Sequence, residues 1–384
     1  MITPGIFYKN FNLKKNNSIL KKKLDLIIKK NNPILQSLGK NYKDSFNKKN
    51  LKKFNKFKKL RVIGMGGSSL GAHAIYDFLK KDIKKKFTFI DSLKPIFNKK
   101  KEDRNLNLVI SKSGNTLETI VNSNLFIKKK DRNIFITENN KNYLYELAEK
   151  LKAEIVHHNN YIGGRYSVLS EVGMLPAELM GLNSNKFRQL NHLVANPKYL
   201  NALISSVSAT LHFLKKKKFN SIIINYDDKS KNLFSWYQQL IAESLGKNKK
   251  GLLPIVSDMP KDNHSVMQLF LDGFENNFFT FFYVHEKNTQ KVQNKYILPS
   301  KNYIKNKTLN QITFAQKKAT ENIFKKKNIP FRSFEIFKRD EKTLGELFSF
   351  FILETILLAE ALKINPYDQP AVEFIKKETK KILT

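Results

Sequence analysis

The chain has 384 residues, 41% of them hydrophobic, and 70 Lys and Arg against 33 Asp and Glu leave a formal net charge of +37. That length accommodates two domains with cores of their own, at roughly 150 residues each. With no cysteine there is no disulfide framework, thiolate metal site or Cys nucleophile, and no apolar stretch reaches the roughly 18 residues of a spanning helix.

Residues 1–50 alternate apolar residues with Lys and Asn at loosely helical spacing and read as an N-terminal helical segment. Met1-Ile2-Thr3-Pro4-Gly5 lacks the charged region and apolar core of a signal peptide, so a cytoplasmic location is expected. A first α/β domain is expected over 51–194. It has strands at Leu60–Gly64, Phe87–Ile90, Leu106–Ile110, Asn133–Thr137 and Glu154–His157, with helices at Leu70–Lys80, after the Leu106 strand to Phe126, and at Tyr143–Lys152. A helical link near 195–218 leads to a second domain over 195–384 that repeats the logic. Strands are expected at Ser221–Tyr226, Leu252–Val256, Phe278–Val284 and Phe331–Ile336, and helices at Lys231–Leu245, His264–Gly273 and Leu309–Lys326. Leu344–Ala361, which carries Glu346 and Glu354, reads as a buried or amphipathic helix, and Ala371–Leu383 as a last one. Strand–helix alternation with such connections means parallel, doubly wound sheets covered on both faces. Ligands of these sheets sit beyond the C-terminal strand ends.

A charge of +37 ordinarily points to nucleic acid or an anionic membrane. Here the excess lies in short scattered runs such as Lys21–Lys23, Lys84–Lys86, Lys128–Lys130 and Lys215–Lys218, without Arg-rich or aromatic-interleaved patches. Joint enrichment in Lys, Asn, Ile and Phe reads as a codon-composition effect on solvated faces. Neither nucleic acid nor membrane is therefore expected as a partner, although a positive field would attract an anionic metabolite.

Five segments carry polar groups that neither a core nor an ordinary surface requires. Gly64-Met65-Gly66-Gly67-Ser68-Ser69 follows a strand and permits a tight turn with close backbone approach. In Ser111-Lys112-Ser113-Gly114-Asn115-Thr116-Leu117-Glu118-Thr119, hydroxyls, backbone N–H groups and one ammonium converge on a helix N-terminus. That is a seat for a phosphate dianion. It lacks nucleotide P-loop spacing, and an unliganded Ser-rich helix cap is its plain alternative. Gly163-Gly164-Arg165-Tyr166-Ser167 brings backbone near a ligand and fixes an Arg beside it. The fourth is Gln238-Gln239-Leu240-Ile241-Ala242-Glu243-Ser244-Leu245-Gly246-Lys247, with His264 downstream; in it Gln239 and Glu243, four apart, share one helix face. Glu243 is either a solvated surface charge or a base. Its neighbours Leu240, Ile241, Ala242 and Leu245 favour partial burial and an upward-shifted pKa. His264 could simply cap a helix, and the other histidines, His157-His158 included, show no metal-ligand spacing. The fifth segment, Asn365-Pro366-Tyr367-Asp368-Gln369-Pro370, leads into a helix carrying Lys376.

In sequence order these segments resemble the phosphoglucose isomerase family, shorter bacterial type, over about residues 60 to 380. The resemblance implies two sugar-isomerase (SIS) domains, a homodimer with shared active sites, and interconversion of glucose 6-phosphate and fructose 6-phosphate without metal or organic cofactor. It implies that Ser111, Lys112, Ser113 and Thr116 hold the phosphate, with Ser68 near the sugar hydroxyls and Gln239 and Gln369 on sugar or phosphate oxygens. By the same resemblance Glu243 is the base, Arg165 stabilises the enediolate, and His264 (from the partner subunit) and Lys376 serve ring opening. Ser69 departs from the Asp many relatives carry, and the region before Lys59 is brief. A phosphosugar-binding module without catalysis would need the phosphate seat alone, leaving Glu243, Arg165 and Lys376 surplus. Added mannose 6-phosphate activity would depend on rotation about C2–C3.

Overall fold

The computed structural model describes residues 1–11, 17–94 and 104–384. Among these residues the strands are β1 (Ile6–Lys9), β2 (Lys59–Gly64), β3 (Lys86–Ile90), β4 (Leu106–Ile110), β5 (Arg132–Thr137), β6 (Glu154–His157), β7 (Asn220–Asn225), β8 (Leu253–Asp258), β9 (Asn277–Val284) and β10 (Phe331–Ile336). All are short, and β4 and β9 are buried along their whole length. Such strands need cover on both faces, and the intervening helices supply it.

The strands form two five-stranded sheets, ordered β3-β2-β4-β5-β6 and β1-β10-β9-β7-β8. All pairings in the first sheet are parallel, and in the second only β1 runs antiparallel. In the first sheet the chain moves from β2 outward to β3 and then returns to β4 on the other side. The strand order therefore reverses at β2, beyond whose end the Gly64–Ser68 turn lies. The second sheet reverses in the same way at β7.

Two expectations change. The N-terminal segment is helical over Ser18–Lys30, but Ile6–Lys9 is an edge strand of the second sheet, with Ile6 opposite Ile336. A four-residue segment with three apolar positions announces a strand only through its partner, and that partner lies at the far end of the chain. The expected helix His264–Gly273 is reduced to Met267–Asp272, and His264 closes a 3-10 turn at Lys261–His264. The helix Glu171–Met180, with Gly173 and Pro176 inside it, was not anticipated.

The helix Glu341–Leu362 is buried from Thr343 to Ala359 and forms the spine of the second domain. Its carboxylates are matched individually. Glu346 accepts from Thr3 Oγ1 at 2.6 Å, and Glu354 pairs with buried Arg332 and accepts from Ser206 at 2.5 Å. Pairing is what makes such burial tolerable. Among the described residues no helix is long and apolar enough to cross a membrane.

Candidate active site

The site is assembled from three turns and one helix. β2 lies beside β4, with Gly64 opposite Ile110, so the turns following the two strands are neighbours. In the first turn Gly66 has φ +53°, and a Cβ there would lie 2.8 Å from Gln239 Nε2. A Cβ on Gly67 would lie 2.1 Å from the Gly164 carbonyl carbon. The paired glycines thus let the Gly64–Ser68 turn press against both the Gly163–Ser167 turn and the helix Lys231–Leu245. Ser68, half-buried, lies at the end of the first turn.

In the turn after β4, Ser111 and Thr116 share a hydroxyl–hydroxyl hydrogen bond of 2.8 Å. Thr116 precedes the helix Leu117–Phe126, whose N-terminus no side chain caps. Its first-turn N–H groups and Glu118 are the ordinary signature of a helix start, but the hydroxyl that would cap it is turned to Ser111 instead. Gly114, at φ +65°, leaves room for Asn142, which caps the helix Tyr143–Lys150 by accepting from Tyr145 N–H at 3.0 Å. Ser113 is exposed. Lys112 Nζ donates to the Asn160 carbonyl at 2.8 Å and lies 3.4 Å from Glu138.

On the other side of the glycine turn, Arg165 is 1% exposed and its five N–H donors are all engaged. Nε donates to Ser244 Oγ at 2.9 Å, and Nη2 to the carbonyls of Pro366 at 2.6 Å and Asp368 at 2.9 Å. Nη1 donates to Glu243 Oε2 at 3.1 Å and to Gln369 Oε1 at 2.5 Å. Trp236 Nε1 donates to the Arg165 carbonyl at 3.1 Å, and Tyr166 OH lies 2.8 Å from Ser244 Oγ, completing a buried frame around the guanidinium. Burial pushes the Tyr166 phenol up to about 12, so it remains a neutral hydrogen-bonding group.

Glu243 is not enclosed by the apolar residues beside it in sequence: Leu240, Ile241 and Leu245 are buried, while the Glu243 side chain is 30% exposed and faces Arg165 and Gln239. Gln239 Nε2 donates to Glu243 Oε1 at 2.9 Å; Gln239 Oε1 is buried and has no partner. A buried acceptor left open in a polar cluster is a place for a ligand donor.

The structure thus brings Arg165, Gln239, Glu243 and Gln369 into one hydrogen-bonded cluster, and places Ser111, Lys112, Ser113 and Thr116 on the turn beyond the neighbouring strand. It does not bring in the other two. His264 is exposed, and Lys376 lies on an exposed helix, paired with Glu373 at 2.6 Å. Among the described residues no group of three or more His, Asp or Glu side chains converges as a metal site. Tyr166 and Ser244 lie inside quoted motifs but were given no role there, and Trp236, three residues before Gln239, was not singled out from sequence.

A sequence profile of the phosphoglucose isomerase family matches residues 27–384. The chain belongs to the phosphoglucose isomerase family. It is 33% identical over 370 residues to a glucose-6-phosphate isomerase of Methanocaldococcus jannaschii, covering 88% of each protein. With that of Mycoplasmopsis pulmonis it shares 35% identity over 361 residues, covering 84% of this chain and 82% of the relative. The fold matches the crystal structure of a hypothetical protein of Thermus thermophilus with a TM-score of 0.84 at 22% identity, covering 96% and 95% of the two chains. It also matches a glucose-6-phosphate isomerase of Chlamydia trachomatis with a TM-score of 0.75 at 18% identity, covering 99% and 89%. At such identities the structural likeness speaks for fold, and the two doubly wound sheets are of the SIS type. Membership in this family gives the shared cluster a chemical context: an isomerase needs a base, a cation for developing oxyanion charge and a grip on the far end of its substrate.

Proposed function

We propose that the chain interconverts glucose 6-phosphate and fructose 6-phosphate. One observation carries this reading: a carboxylate, a buried guanidinium and two amides share one cluster, and the hydroxyl-lined helix start lies across the glycine turn from them. In this proposal Ser111, Lys112, Ser113 and Thr116 bind the phosphate together with the N–H groups of the helix Leu117–Phe126. Ser68 contacts sugar hydroxyls. In the open chain the C2 proton of the aldose is acidified by the adjacent C1 carbonyl. Glu243 takes that proton, leaving a cis-enediolate, and returns a proton to C1 as the C2 carbonyl forms and the O2 hydroxyl proton passes to O1. Arg165 Nη1 exchanges Glu243 or Gln369 for the substrate oxygen on which negative charge develops. A guanidinium already fixed by three other acceptors performs that task with little reorganisation. Gln239 and Gln369 orient sugar oxygens.

His264 of a second subunit and Lys376 serve ring opening in this scheme, which makes the working unit a homodimer. A cytoplasmic protein acting in glycolysis and gluconeogenesis is the matching physiological setting. The direct test is Glu243→Gln assayed with fructose 6-phosphate. Turnover is expected to fall by at least about a thousand-fold, toward the upper range for loss of a general base. Sugar-phosphate affinity, measured by calorimetry, is expected to stay close to that of the unaltered chain. Retained turnover would remove Glu243 from the role of base.

A further inference from the structure

The lysine at the end of the Glu243 helix has no role in the scheme above, yet its contacts reach the catalytic cluster. The helix Lys231–Leu245 stops at Gly246, and Lys247-Asn248-Lys249-Lys250 reverses direction with Asn248 and Lys249 at φ 54° and 58°. Lys250 N–H donates to the Lys247 carbonyl at 2.9 Å, closing the turn. Two successive positive-φ residues make a tight primed turn, which suits Asn and is unfavourable for Lys. The turn gives Lys247 an environment unlike that of its neighbours. Its side chain is 11% exposed, whereas Asn248, Lys249 and Lys250 are exposed, as are most of the described lysines.

Lys247 Nζ donates to Asp368 Oδ1 at 2.7 Å and to the Asn365 carbonyl. The second oxygen of Asp368 accepts from Asn365 Nδ2 at 3.0 Å. The hydrogen bond from Lys247 holds the Asp368 carboxyl below its usual range. The main-chain carbonyl of the same Asp368 accepts from Arg165. The segment 365–369 is therefore gripped from two sides. Arg165 binds it through Pro366, Asp368 and Gln369, and Lys247 through Asn365 and Asp368. Beyond it the helix Ala371–Leu383 buries no residue and adds little restraint.

Two of the five acceptors that orient the Arg165 guanidinium are carbonyls of this segment, and a third is the side chain of Gln369. Movement of the segment would release Nη2 and let the guanidinium turn. We infer that Lys247 is a positioning residue for the isomerisation, holding Asn365–Gln369 so that Arg165 and Gln369 keep the geometry the enediolate requires. It touches neither the reacting carbons nor the phosphate turn. Its loss should therefore slow the chemical step while leaving the grip on the phosphate in place.

This inference rests on the isomerase reading, and its test separates the two. In Lys247→Met the aliphatic stem remains and the ammonium is lost. The expected result is a fall in kcat of about a hundred-fold, the scale of a small misplacement of catalytic groups, with KM changed by less than about three-fold. Lys247→Arg, which can still reach Asp368, should recover most of that loss. Hydrogen–deuterium exchange supplies a second measurement independent of turnover. Amides of 365–383 should exchange faster in Lys247→Met than in the unaltered chain or Lys247→Arg. An unchanged kcat, a loss confined to KM, or identical exchange in all three proteins would overturn the positioning role. Absence of hexose-phosphate turnover in the unaltered chain would instead overturn the isomerase reading, and the exchange data would still report on the clamp.

Discussion

Arg165 has no N–H left over, so a substrate oxygen reaches Nη1 only by displacing Glu243 or Gln369. If Glu243 is displaced, binding breaks the ion pair that occupies the carboxylate and frees it for the role of base proposed for it. Gln239 donates to the other carboxylate oxygen, a second tether on Glu243 that does not depend on Arg165. A different residue governs how the site's surroundings respond to acid. His158, 2% exposed, follows β6 next to the loop that Lys112 contacts. Its main-chain N–H donates to the Thr137 carbonyl at 2.8 Å, and its ring Nδ1 lies 3.0 Å from the Asn159 carbonyl. Burial pushes this imidazole down from 6.5 to about 4, with Lys112 adding to the shift. Between those values the unfolded chain binds a proton that the folded chain does not. Stability contributed here is complete above about 6.5, declines as pH falls through the window, and levels off below about 4. At about 1.4 kcal/mol per unit the loss is on the order of 3 kcal/mol. Urea midpoints at pH 7 and pH 4.5 should therefore draw closer together in His158→Gln than in the unaltered chain; an equal decline in both would assign the acid sensitivity elsewhere.

At the level of elements, the two sheets share a winding but use their reversal points differently. In the first sheet the turns beyond β2 and β4 present hydroxyls and N–H groups. In the second, the ends of β7 and β9 present Asp227 and Glu286, and Arg339, just beyond β10, pairs with both, at 2.7 and 2.5 Å. Arg339 Nη1 also donates to the carbonyl of Phe78, at the end of a first-domain helix, at 3.2 Å. The second reversal point is thus filled by an internal cation that ties the domains together. Arg339→Met would leave the buried Asp227 carboxylate without its cation, with the Ser230 hydroxyl still donating to it. It should lower unfolding free energy by about 3 kcal/mol, read from the denaturant midpoint; a change below about 0.5 kcal/mol, the usual range for surface substitutions, would mean the lock is of no consequence. None of this was visible in Lys338-Arg339-Asp340, which reads as a charged loop, because its partners come from distant strands. By contrast Leu106–Ile110, Lys231–Leu245 and Phe331–Ile336 were legible to the residue, since their apolar patterns are local and bounded by turn or cap residues. The cluster of Arg165, Gln239, Glu243 and Gln369 was legible as separate motifs. Ser244 and Lys247 were legible as members of the fourth segment, but not what they hold, because a serine and a lysine beside a helix end carry no contacts until the facing segment is known.

Considered whole, one protomer carries a cluster that could bind and polarise a sugar, but two of the groups assigned to ring opening stand outside it. His264 is exposed on its 3-10 turn, and the helix that bears Lys376 leaves Phe374, Ile375, Ile382 and Leu383 open to solvent. An amphipathic helix with no buried residue gains its stability from a surface it packs against, which accords with the proposed dimer. If each site takes Glu243 from one subunit and His264 from the other, Glu243→Gln and His264→Gln homodimers are each defective at both sites. A mixed dimer then contains one site with both substitutions and one with neither. Random exchange of subunits makes half the dimers mixed, so equal mixing should restore about a quarter of the unaltered activity from two nearly inactive proteins, as two-fold symmetry requires. The recovery should appear only after subunits are allowed to exchange, by co-expression or by joint refolding, and not on simple mixing at high concentration. If mixed dimers form, as judged by a tag on one partner, and activity stays at the sum of the parents, then each protomer completes its own site, and His264 acts, if at all, within its own chain.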